Sequence, residues 1–577
     1  MPRSPRTAAT AHRPVTPARP RCRGAFLALA FLAAFTAPTS ASAGSPPPDP
    51  REKTFLVTDD FLLVPIRNGA EKAQVSLFVE DKRVRHFNAE LAETADDASF
   101  WAFYDLRPFE GSPARVVVAG ANPTRGELIR QGDTYPGESE LYAETWRPQF
   151  HFTSRRGWNN DPNGLVYHQG EWHLFYQHNP VGWSWDNMHW GHAVSEDLVH
   201  WRELGDALFP WGDDARGHVF SGGGFVDWKN TSGFQLGAEP PLVVAFTDTE
   251  AGESLAYSND RGRTFTAYEG NPVVEHKGRD PKIVWHEPTD RWVMAVYDET
   301  EERAIDFYSS PDLMEWRFES RLPGFYECPE LLELPIEGGA GSRWVVFAAD
   351  GEYVLGSFDG RVFRPDHPGK HRLWYGNFYA SQVYSDAPDG RRVQVGWARG
   401  NDYPGMPFNQ GMTVPVDLSL RQAKDGPRLF AEPVPELRSL RADHRSVPAA
   451  ELYPGDDALA GLGADVFEID ATLELDPKVV VSLSIGGAKI AANAAEGTLR
   501  CGDVEAPLVL DEEGQVRLQI LVDRGSIEIF AADGRVALSE GVLLPRGEKP
   551  LTLSVARGKA RLLSFDLWTL RGIWPES

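Results

Sequence analysis

A two-residue alternation of apolar and polar positions recurs along much of this chain, and it is clearest towards the C-terminus. Apolar side chains occupy every second position of Phe467–Leu475, and acidic or hydroxyl side chains fill most of the positions between them. Val516–Val522 repeats the pattern, Asp533-Gly534 offers a hairpin turn, and Leu551–Val555 adds a further apolar stretch. Period two is typical of half-buried strands. The sequence therefore predicts a β-sandwich after Pro433.

Short strands are also predicted near the beginning of the chain. They are Phe61–Ile66, Gln74–Val79, Trp101–Tyr104 and Arg115–Val118, with Gly, Asp and Pro clusters between them. Such punctuation indicates a small all-β domain. Its sequence carries no recognisable chemistry, so a structural role and a sugar-binding role both stay open. We expect the chemistry of the protein to be independent of it.

The central region contains a weak internal repeat of Ser-x-Asp turns. Each turn follows an apolar run and precedes an aromatic residue; the four begin at Ser195, Ser258, Ser310 and Ser357. Polar turns that recur at about 40–50 residues or slightly more are typical of propeller blades, and residues 150–433 would hold about five. The alternative is a coincidence of Ser-x-Asp turns in an ordinary β-protein.

These patterns predict an all-β chain with a domain order that can be drawn from sequence. Each boundary is placed where the composition or the pattern changes. The expected order is a signal peptide (1–43), a linker (44–52), an N-terminal β-domain (53–125), a connector (126–149), a five-bladed propeller (150–433) and a C-terminal β-sandwich (434–577).

The first residues are typical of an export signal. Six arginines and no acidic residue precede the apolar run Ala25–Phe35, and Ala41-Ser42-Ala43 supplies small residues for cleavage. This order predicts a secreted or periplasmic protein cleaved near Ala43. The run is short for a membrane span, so no membrane anchor is expected. The alternative is a buried or membrane-anchoring helix.

Charge and cysteine content restrict the partners. Removal of the six arginines takes the formal charge from −25 to −31, which repels nucleic acid and anionic membranes but leaves a neutral polysaccharide unaffected. Of three cysteines, Cys22 lies in the predicted signal, and we expect Cys328 and Cys501 to be free thiols. The sequence contains no His/Asp cluster with ligand spacing, so no metal and no cofactor is predicted. The oligomeric state stays open.

The stretch Arg155–Pro180 contains the first candidate for chemistry. Its centre, Asp161-Pro162-Asn163-Gly164, has the composition of a tight turn, and the apolar residues that follow are strand-like. The carboxylate of Asp161 would then be held at a strand edge, where backbone N–H groups keep it ionised. The alternative is that Asp161 only closes an Asx-turn.

Several separated motifs carry a resemblance to a known family. They are WNNDPNG at Trp158–Gly164, HWGHAVSEDLVHW at His189–Trp201, FSGG at Phe220–Gly223, RDP at Arg279–Pro281 and YEC at Tyr326–Cys328. In this order they resemble glycoside hydrolase family 32, the β-fructofuranosidases that include invertases, inulinases and levanases. The extra N-terminal β-domain is similar to that of some bacterial levanase-like members. The resemblance implies a five-bladed propeller followed by a β-sandwich.

The resemblance also implies a division of labour among three carboxyl groups. Asp161 is identified as the nucleophile, Glu327 as the acid/base, and Asp280 as the group that holds sugar hydroxyls. Glycoside cleavage needs one carboxylate to attack and one protonated carboxyl to give its proton to the leaving oxygen. For substrate binding the expected polar residues are Asn160, Gln177, Ser221 and Arg279, and the expected apolar walls are Trp185 and Phe220. Trp183, Trp190 and Trp397 are weaker candidates, because Trp in a β-protein usually lies in the core.

Three departures from the family pattern concern the substrate and leave the carboxylates untouched. Asn159 stands where many members have Met, Gly223 stands where they have a second Ser, and the stretch Trp374–Tyr379 lacks the usual Asp. We therefore predict no site residue from that last stretch. The choice among levan, inulin and sucrose stays open.

The leading hypothesis is a secreted exo-acting enzyme that cleaves terminal β-D-fructofuranosyl units from levan, inulin and sucrose. Exo action is expected because GWSWDNMHW at Gly182–Trp190 resembles exo-acting members. A fructosyltransferase on the same scaffold is the second hypothesis, and a non-catalytic polysaccharide-binding protein is the third. The third predicts a broken carboxylate set, whereas Asp161, Asp280 and Glu327 are all present.

Overall fold

The computed structural model describes residues 51–120, 123–210, 217–300 and 302–574. The predicted signal peptide and nearly all of the linker lie outside the described residues. The chain is almost entirely β, with 53% strand and 5% helix. Within the described ranges, no helix has the length and apolar character needed to cross a membrane. The helical segments there are short 3-10 turns: Ala95–Asp97, Arg107–Phe109, Pro123–Leu128, Glu138–Glu140, Glu287–Thr289, Pro388–Gly390 and Pro435–Leu440.

The N-terminal module, residues 51–132, is built from two small antiparallel sheets. Its strands are β1 (Arg51–Leu56), β2 (Phe61–Ile66), β3 (Ala73–Val79), β4 (Lys82–Ala89), β5 (Phe100–Asp105), β6 (Pro113–Gly120) and β7 (Arg130–Gly132). One sheet has the order β1-β6-β3-β4 and the other β5-β2-β7. Apolar side chains of both sheets share one core. Strand β7 lies in the segment predicted as a connector. The second sheet therefore extends beyond residue 125, the predicted end of the N-terminal β-domain.

The central region begins with three successive groups of strands. The first is β8 (Gly157–His168), β9 (Glu171–Asn179), β10 (His189–Ser195) and β11 (Arg202–Leu208). The second is β12 (Val219–Phe220), β13 (Gly224–Val226), β14 (Leu242–Asp248), β15 (Gly252–Ser258) and β16 (Thr266–Ala267). The third is β17 (Gly278–His286), β18 (Arg291–Asp298), β19 (Ala304–Ser310) and β20 (Arg317–Pro323).

The rest of the central region forms one larger mixed sheet. Its strands are β21 (Glu330–Glu337), β22 (Ser342–Phe347), β23 (Glu352–Phe358), β24 (Phe363–Pro365) and β25 (His371–Arg372), then β27 (Tyr379–Val383), β28 (Val393–Trp397), β30 (Val416–Ala423) and β31 (Gly426–Pro433). Between these, β26 (Trp374–Gly376) pairs with the C-terminal domain, and β29 (Phe408–Asn409) pairs in parallel with β8. Strand β29, from the last part of this region, therefore lies next to β8, the first strand of the region.

The predicted Ser-x-Asp repeat is a recurring structural turn. Each one begins within the last two residues of a strand: β10, β15, β19 or β23. In the first three turns, the serine hydroxyl donates to the aspartate carboxylate, at 3.0, 2.7 and 3.1 Å. In the fourth, the Asp359 carboxylate accepts instead from the backbone N–H groups of Arg361 and Val362. An aspartate carboxylate thus fixes the connection that follows each of these strands.

The turn predicted at Asp161–Gly164 is wrong, because β8 runs through it without reversing. Irregular register on both sides of Pro162-Asn163 shows that this stretch is bulged. Gly164 has a φ of +56°, and a Cβ there would lie 2.7 Å from the Phe175 ring. The composition that predicted a turn instead serves a bulge that redirects side chains. The chain reverses later, at Gln169-Gly170.

The C-terminal region forms two sheets packed on one core. Its strands are β32 (Arg441–Val447), β33 (Ala450–Leu452), β34 (Gly463–Ala464), β35 (Phe467–Leu475), β36 (Val480–Ile485), β37 (Ala488–Asn493), β38 (Thr498–Cys501), β39 (Val504–Pro507), β40 (Gln515–Val522), β41 (Ser526–Ala531), β42 (Val536–Gly541), β43 (Lys549–Arg557) and β44 (Ala560–Leu570). One sheet runs β26-β42-β41-β40-β35-β44-β32, and the other runs β34-β43-β36-β37-β38-β39. The alternation over Phe467–Leu475 is confirmed as β35, whose apolar side chains enter the shared core.

One aspartate of the C-terminal region holds the start of the central region. The buried Asp523 carboxylate accepts from the backbone N–H groups of Gln149 and Phe150 at 2.8 and 3.0 Å, and lies 2.9 Å from Nδ1 of His151. Burial alone would raise the pKa of Asp523, but these donors bring it below its ordinary value. Burial lowers the pKa of His151, but Asp523 and Glu528 outweigh it and raise that pKa to about 9. The two regions are joined by an ion pair inside the protein.

Candidate active site

The structure brings the three predicted carboxyl residues to one place, around the side chain of Cys328. The Cys328 thiol lies 3.4 Å from Oδ2 of Asp280 and 3.8 Å from Oδ2 of Asp161. The backbone N–H of Cys328 donates to Oδ2 of Asp280 at 3.1 Å, and Glu327 is the residue before it. Residues from β8, β17 and the segment preceding β21 therefore meet. Cys328 and Cys501 are free thiols among the described residues, as predicted.

The backbone at three of these residues is in a sparsely populated conformation. Asp280 has a φ of +67°, Glu327 of +31° and Cys328 of +45°. Positive φ values at side-chain-bearing residues store strain, and the surrounding structure must enforce them. At Asp280 part of this support is visible, because its backbone N–H donates to Oγ1 of Thr247 at 3.0 Å. Asp280 and Glu327 both interact electrostatically with Asp161.

Asp161 is held by side-chain donors. Ser221 Oγ donates to Oδ2 at 2.7 Å, and Asn160 Nδ2 donates to Oδ1 at 3.0 Å. Trp158 fixes the Asn160 amide by donating from Nε1 to its oxygen at 2.9 Å. The expected backbone hydrogen bond is also present, from Asp161 itself, but it lowers the pKa of the carboxyl less than Asn160 and Ser221 do. Asn160 and Ser221, which the sequence predicted as substrate-binding residues, thus both contact Asp161.

Glu327 is held by one predicted residue and one that the sequence missed. Arg279 donates to Oε2 from Nε and Nη2, at 2.9 and 2.6 Å. Tyr379 donates its hydroxyl to Oε1 at 2.6 Å. Tyr379 belongs to the stretch from which we predicted no site residue. One feature could have indicated Tyr379: it carries an aromatic ring and a hydroxyl, and it is the first residue of β27.

The predicted apolar walls form a pair beside Ser221. Trp185 is 48% exposed and meets Phe220 edge-to-face, with ring centroids 6.0 Å apart. Gln177 is buried and donates to the carbonyl oxygen of Val219 at 2.9 Å, so it supports the backbone behind Phe220. Trp190 also supports this segment, because its Nε1 donates to the Phe220 carbonyl.

The three tryptophans regarded as weaker candidates have different positions. Trp190 is fully buried in the core. Trp183 packs against the apolar core of the N-terminal module. Trp397 meets Trp158 and Tyr379 edge-to-face at 6.0 and 6.2 Å, which puts it next to two residues that hold the carboxylates. Only Trp397 therefore belongs to the surroundings of the site.

Comparison with known protein families agrees with this geometry. The model described as "Glycosyl hydrolases family 32 N-terminal domain" matches residues 151–433, and "Glycosyl hydrolases family 32 C terminal" matches residues 483–569. A levanase from Bacillus subtilis (strain 168) is 37% identical over 495 residues, which cover 76% of this chain and 72% of that protein. The chain belongs to glycoside hydrolase family 32. Neither family model includes the N-terminal module.

Other similar proteins extend the comparison. An extracellular exo-inulinase from Aspergillus ficuum is 29% identical over 518 residues, covering 75% of this chain and 96% of that protein. The crystal structure of exo-inulinase from Aspergillus awamori superposes with a TM-score of 0.69 at 27% identity, covering 75% of this chain and all of the other. The family 32 neighbours combine a propeller with a β-sandwich. This family 32 protein is a glycoside hydrolase.

Burial raises the pKa values of two carboxyl groups in the family 32 site, those of Asp161 and Asp280. Burial raises the pKa of Asp161 to about 6, against the opposing hydrogen bonds from Asn160 and Ser221. Burial, followed by the charges of Glu327 and Asp161, raises the pKa of Asp280 well above its ordinary value, although Arg279 opposes this. Burial also raises the pKa of the Tyr379 hydroxyl, and Glu327 adds to the effect. Tyr379 is therefore a neutral donor to Glu327.

We predict an acid limb near pH 6 in kcat/KM on sucrose. In the role of nucleophile that the resemblance implies, Asp161 must be ionised, so a pKa raised from 3.8 to about 6 moves the loss of activity to higher pH. Ser221→Ala removes a donor to that carboxylate and should raise the limb by about 0.7 pH unit, the equivalent of about 1 kcal/mol for one hydrogen bond. The control is Ser195→Ala, which removes a serine–aspartate hydrogen bond in a turn away from the site. An unmoved limb in Ser221→Ala would contradict the assignment.

Proposed function

We propose that this family 32 protein hydrolyses fructans and sucrose by releasing terminal β-D-fructofuranosyl units with retention of configuration. The observation that carries the proposal is the meeting of Asp161, Asp280 and Glu327 around Cys328. Levanase, exo-inulinase and β-fructofuranosidase are the names of the similar proteins, and they supply the substrate class.

In the first step, Asp161 attacks the anomeric carbon of the fructosyl unit while Glu327 gives its proton to the departing oxygen. A covalent fructosyl ester forms and the alcohol or shorter sugar leaves. Arg279 and Tyr379 donate to Glu327, so they stabilise the carboxylate that remains after the proton has gone. These donors also hold the Glu327 carboxyl group in one orientation while the proton is transferred.

In the second step, water attacks the ester and gives a proton to the Glu327 carboxylate, which restores Asp161. Asp280 contacts Cys328, which also contacts Asp161 and directly follows Glu327 in the chain. In this proposal, Asp280 binds sugar hydroxyls. Asn160 and Ser221 keep Asp161 pointing at the anomeric carbon, while Trp185 and Phe220 form the apolar wall against the ring.

We propose five blades for the catalytic domain, residues 150–433. Three groups of strands and the two halves of the mixed sheet each supply one meander in chain order. Each has four strands if β12 and β13, which pair with the same side of β14, are one broken strand and the short β25 is an addition to β23. The pairing of β29 with β8 supports closure of the ring, because it joins the last unit to the first. The signal (1–43) and the sandwich (434–577) are proposed as predicted. Because β1 and β7 belong to the sheets of the N-terminal module, we propose 51–132 for the N-terminal β-domain, 44–50 for the linker and 133–149 for the connector.

We propose a location outside the cytoplasmic membrane, after cleavage near Ala43. The arginine-rich start and apolar run support it, as does the description of one similar protein as extracellular.

The products formed from levan, inulin and sucrose test the proposal. We expect fructose as the dominant early product from both polymers, detected by chromatography of timed samples. A ladder of oligosaccharides would instead indicate endo action, and chains longer than those supplied would indicate transfer. Asp161→Ala serves as the blank that detects any contaminating hydrolase. A folded wild-type protein that binds fructan without cleaving any of the three sugars would overturn the proposal.

A further inference from the structure

The loop that carries Trp185 connects β9 to β10 and comprises residues 180–188, here called the Trp185 loop. Trp185 forms the wall with Phe220, and the residues around it contact the N-terminal module. Val181 is buried in the apolar core of that module, and Trp183 packs against the same core. The loop therefore has one face in the active site and another in a domain that contributes no catalytic carboxylate.

The two residues after Trp185 are bonded to the module directly. Asp186 forms an ion pair with Lys72, with 2.6 Å between Nζ and Oδ2. The side-chain amide of Asn187 accepts from the backbone N–H of Asn88 and donates to the carbonyl oxygen of the same residue, at 2.8 Å each. Asn187 is only 3% exposed.

The contact with Asn88 has a structural reason. Strand β4 lies at the edge of its sheet, where backbone N–H and C=O groups have no neighbouring strand. The amide of Asn187 has the same donor and acceptor as a peptide unit, so it satisfies one residue of that edge. Lys72 immediately precedes β3, and Ala73 of β3 pairs with Ala89 of β4. Both contacts thus come from the open end of one hairpin.

We propose that the N-terminal module positions the Trp185 loop and thereby sets the affinity for sugar at the active site. Lys72 and the Asn88 backbone hold Asp186 and Asn187, and Trp185, one residue away, is kept against Phe220. The role of Trp185 as a sugar wall rests on the proposed function. The module is then a determinant of substrate binding, whereas the sequence predicted chemistry independent of it.

The first test is Lys72→Met in the full chain. It removes the charge that holds Asp186 and keeps an apolar stem of similar length. We expect KM for sucrose and for inulin to rise about two- to fivefold, the range of a partly exposed ion pair, with kcat unchanged. The control is Lys82→Met, an exposed lysine at the closed end of the same hairpin, opposite Val79. An unchanged KM in Lys72→Met would overturn the proposal.

A second variant, Asn187→Gly, removes both hydrogen bonds to β4 and also the donation from Asn187 Nδ2 to Oδ1 of Asn179, at 3.1 Å, at the base of the loop. Glycine accepts the φ of +47° found at this position, so the backbone is not strained by the change. A KM increase of about tenfold is expected from the loss of the two bonds. A fall in kcat with KM constant would show that this residue does not act through substrate binding.

A double variant at Lys72 and Trp185 distinguishes a positioning role of Lys72 from a general loss of stability. If Lys72 acts through Trp185, then Lys72→Met should have no further effect on KM in a Trp185→Ala background. Effects that multiply would contradict the proposal.

Hydrogen–deuterium exchange measures the loop without any substrate. Amides of residues 181–188 should exchange at least about threefold faster in Lys72→Met and Asn187→Gly than in wild type or Lys82→Met. If wild type failed to cleave fructans and sucrose, the proposed function would fail while this exchange result could still support positioning. Equal exchange in all four proteins would overturn the positioning itself.

Discussion

Replacement of Asp161 by alanine is expected to reduce kcat on sucrose on the order of 10³-fold or more, because the attacking group is lost. The chain should still fold, since Asp161 is a partly buried residue whose partners are the hydroxyl of Ser221 and the amide of Asn160. Its removal also relieves the crowding of carboxyl groups around Cys328. Thermal unfolding and initial rates on one preparation would measure both quantities.

Azide distinguishes the nucleophile from its neighbours. In Asp161→Ala, a small anion fits the space left by the carboxylate and attacks the anomeric carbon, so it should restore turnover and give a fructosyl azide of inverted configuration. Asp280→Ala is the matched control, because it removes a neighbouring carboxyl but leaves the nucleophile. Azide should not restore its activity. Rescue of both variants, or near wild-type hydrolysis by folded Asp161→Ala, would overturn the assignment.

Replacement of Glu327 by alanine should have a comparably large effect on sucrose but a much smaller effect on a fructoside with a good leaving group. The first step then needs no proton from the enzyme, so the loss in that step should shrink from about 10²–10⁴-fold towards unity. The second step still lacks its base, so a burst of leaving group followed by a slow phase is expected. Rapid mixing with an aryl or fluoride fructoside would show it.

Asp161→Ala is the comparison for this experiment, because loss of the nucleophile should slow both substrates alike and give no burst. Arg279→Lys and Tyr379→Phe provide a graded series, since each weakens one contact to Glu327 without removing the carboxyl group. If Glu327→Ala slowed both substrates equally, Glu327 would not be the acid.

The sequence predicted strands well where burial alone defines them. Phe467–Leu475 alternates because one face packs in a core, and that periodicity is written in the residues themselves. It failed at Asp161–Gly164, where turn-forming residues serve a bulge inside β8. Local propensity cannot tell these two uses apart, because both need Gly and Asn conformations and only the long-range pairing with β9 decides.

The candidate site was predictable to the extent that its residues lie in recognisable motifs. Asn160, Ser221 and Arg279 are adjacent to the carboxylates that the sequence indicated. Tyr379 was missed because 52 residues separate it from Glu327 and no local pattern connects them. The raised pKa of Asp161 could not be predicted from the sequence either, because its largest cause is burial in the assembled domain.

The hydrogen bonds between Asp523 and the segment Gln149, Phe150 and His151 have a consequence for the synthesis of the chain. The carboxylate that accepts from these backbone N–H groups lies 374 residues further along the chain than Gln149. A growing polypeptide therefore has β8, the strand of Asp161, long before it has the carboxylate that holds the segment leading into that strand. These hydrogen bonds can form only when synthesis has reached the last tenth of the chain, so the start of the catalytic domain is completed last.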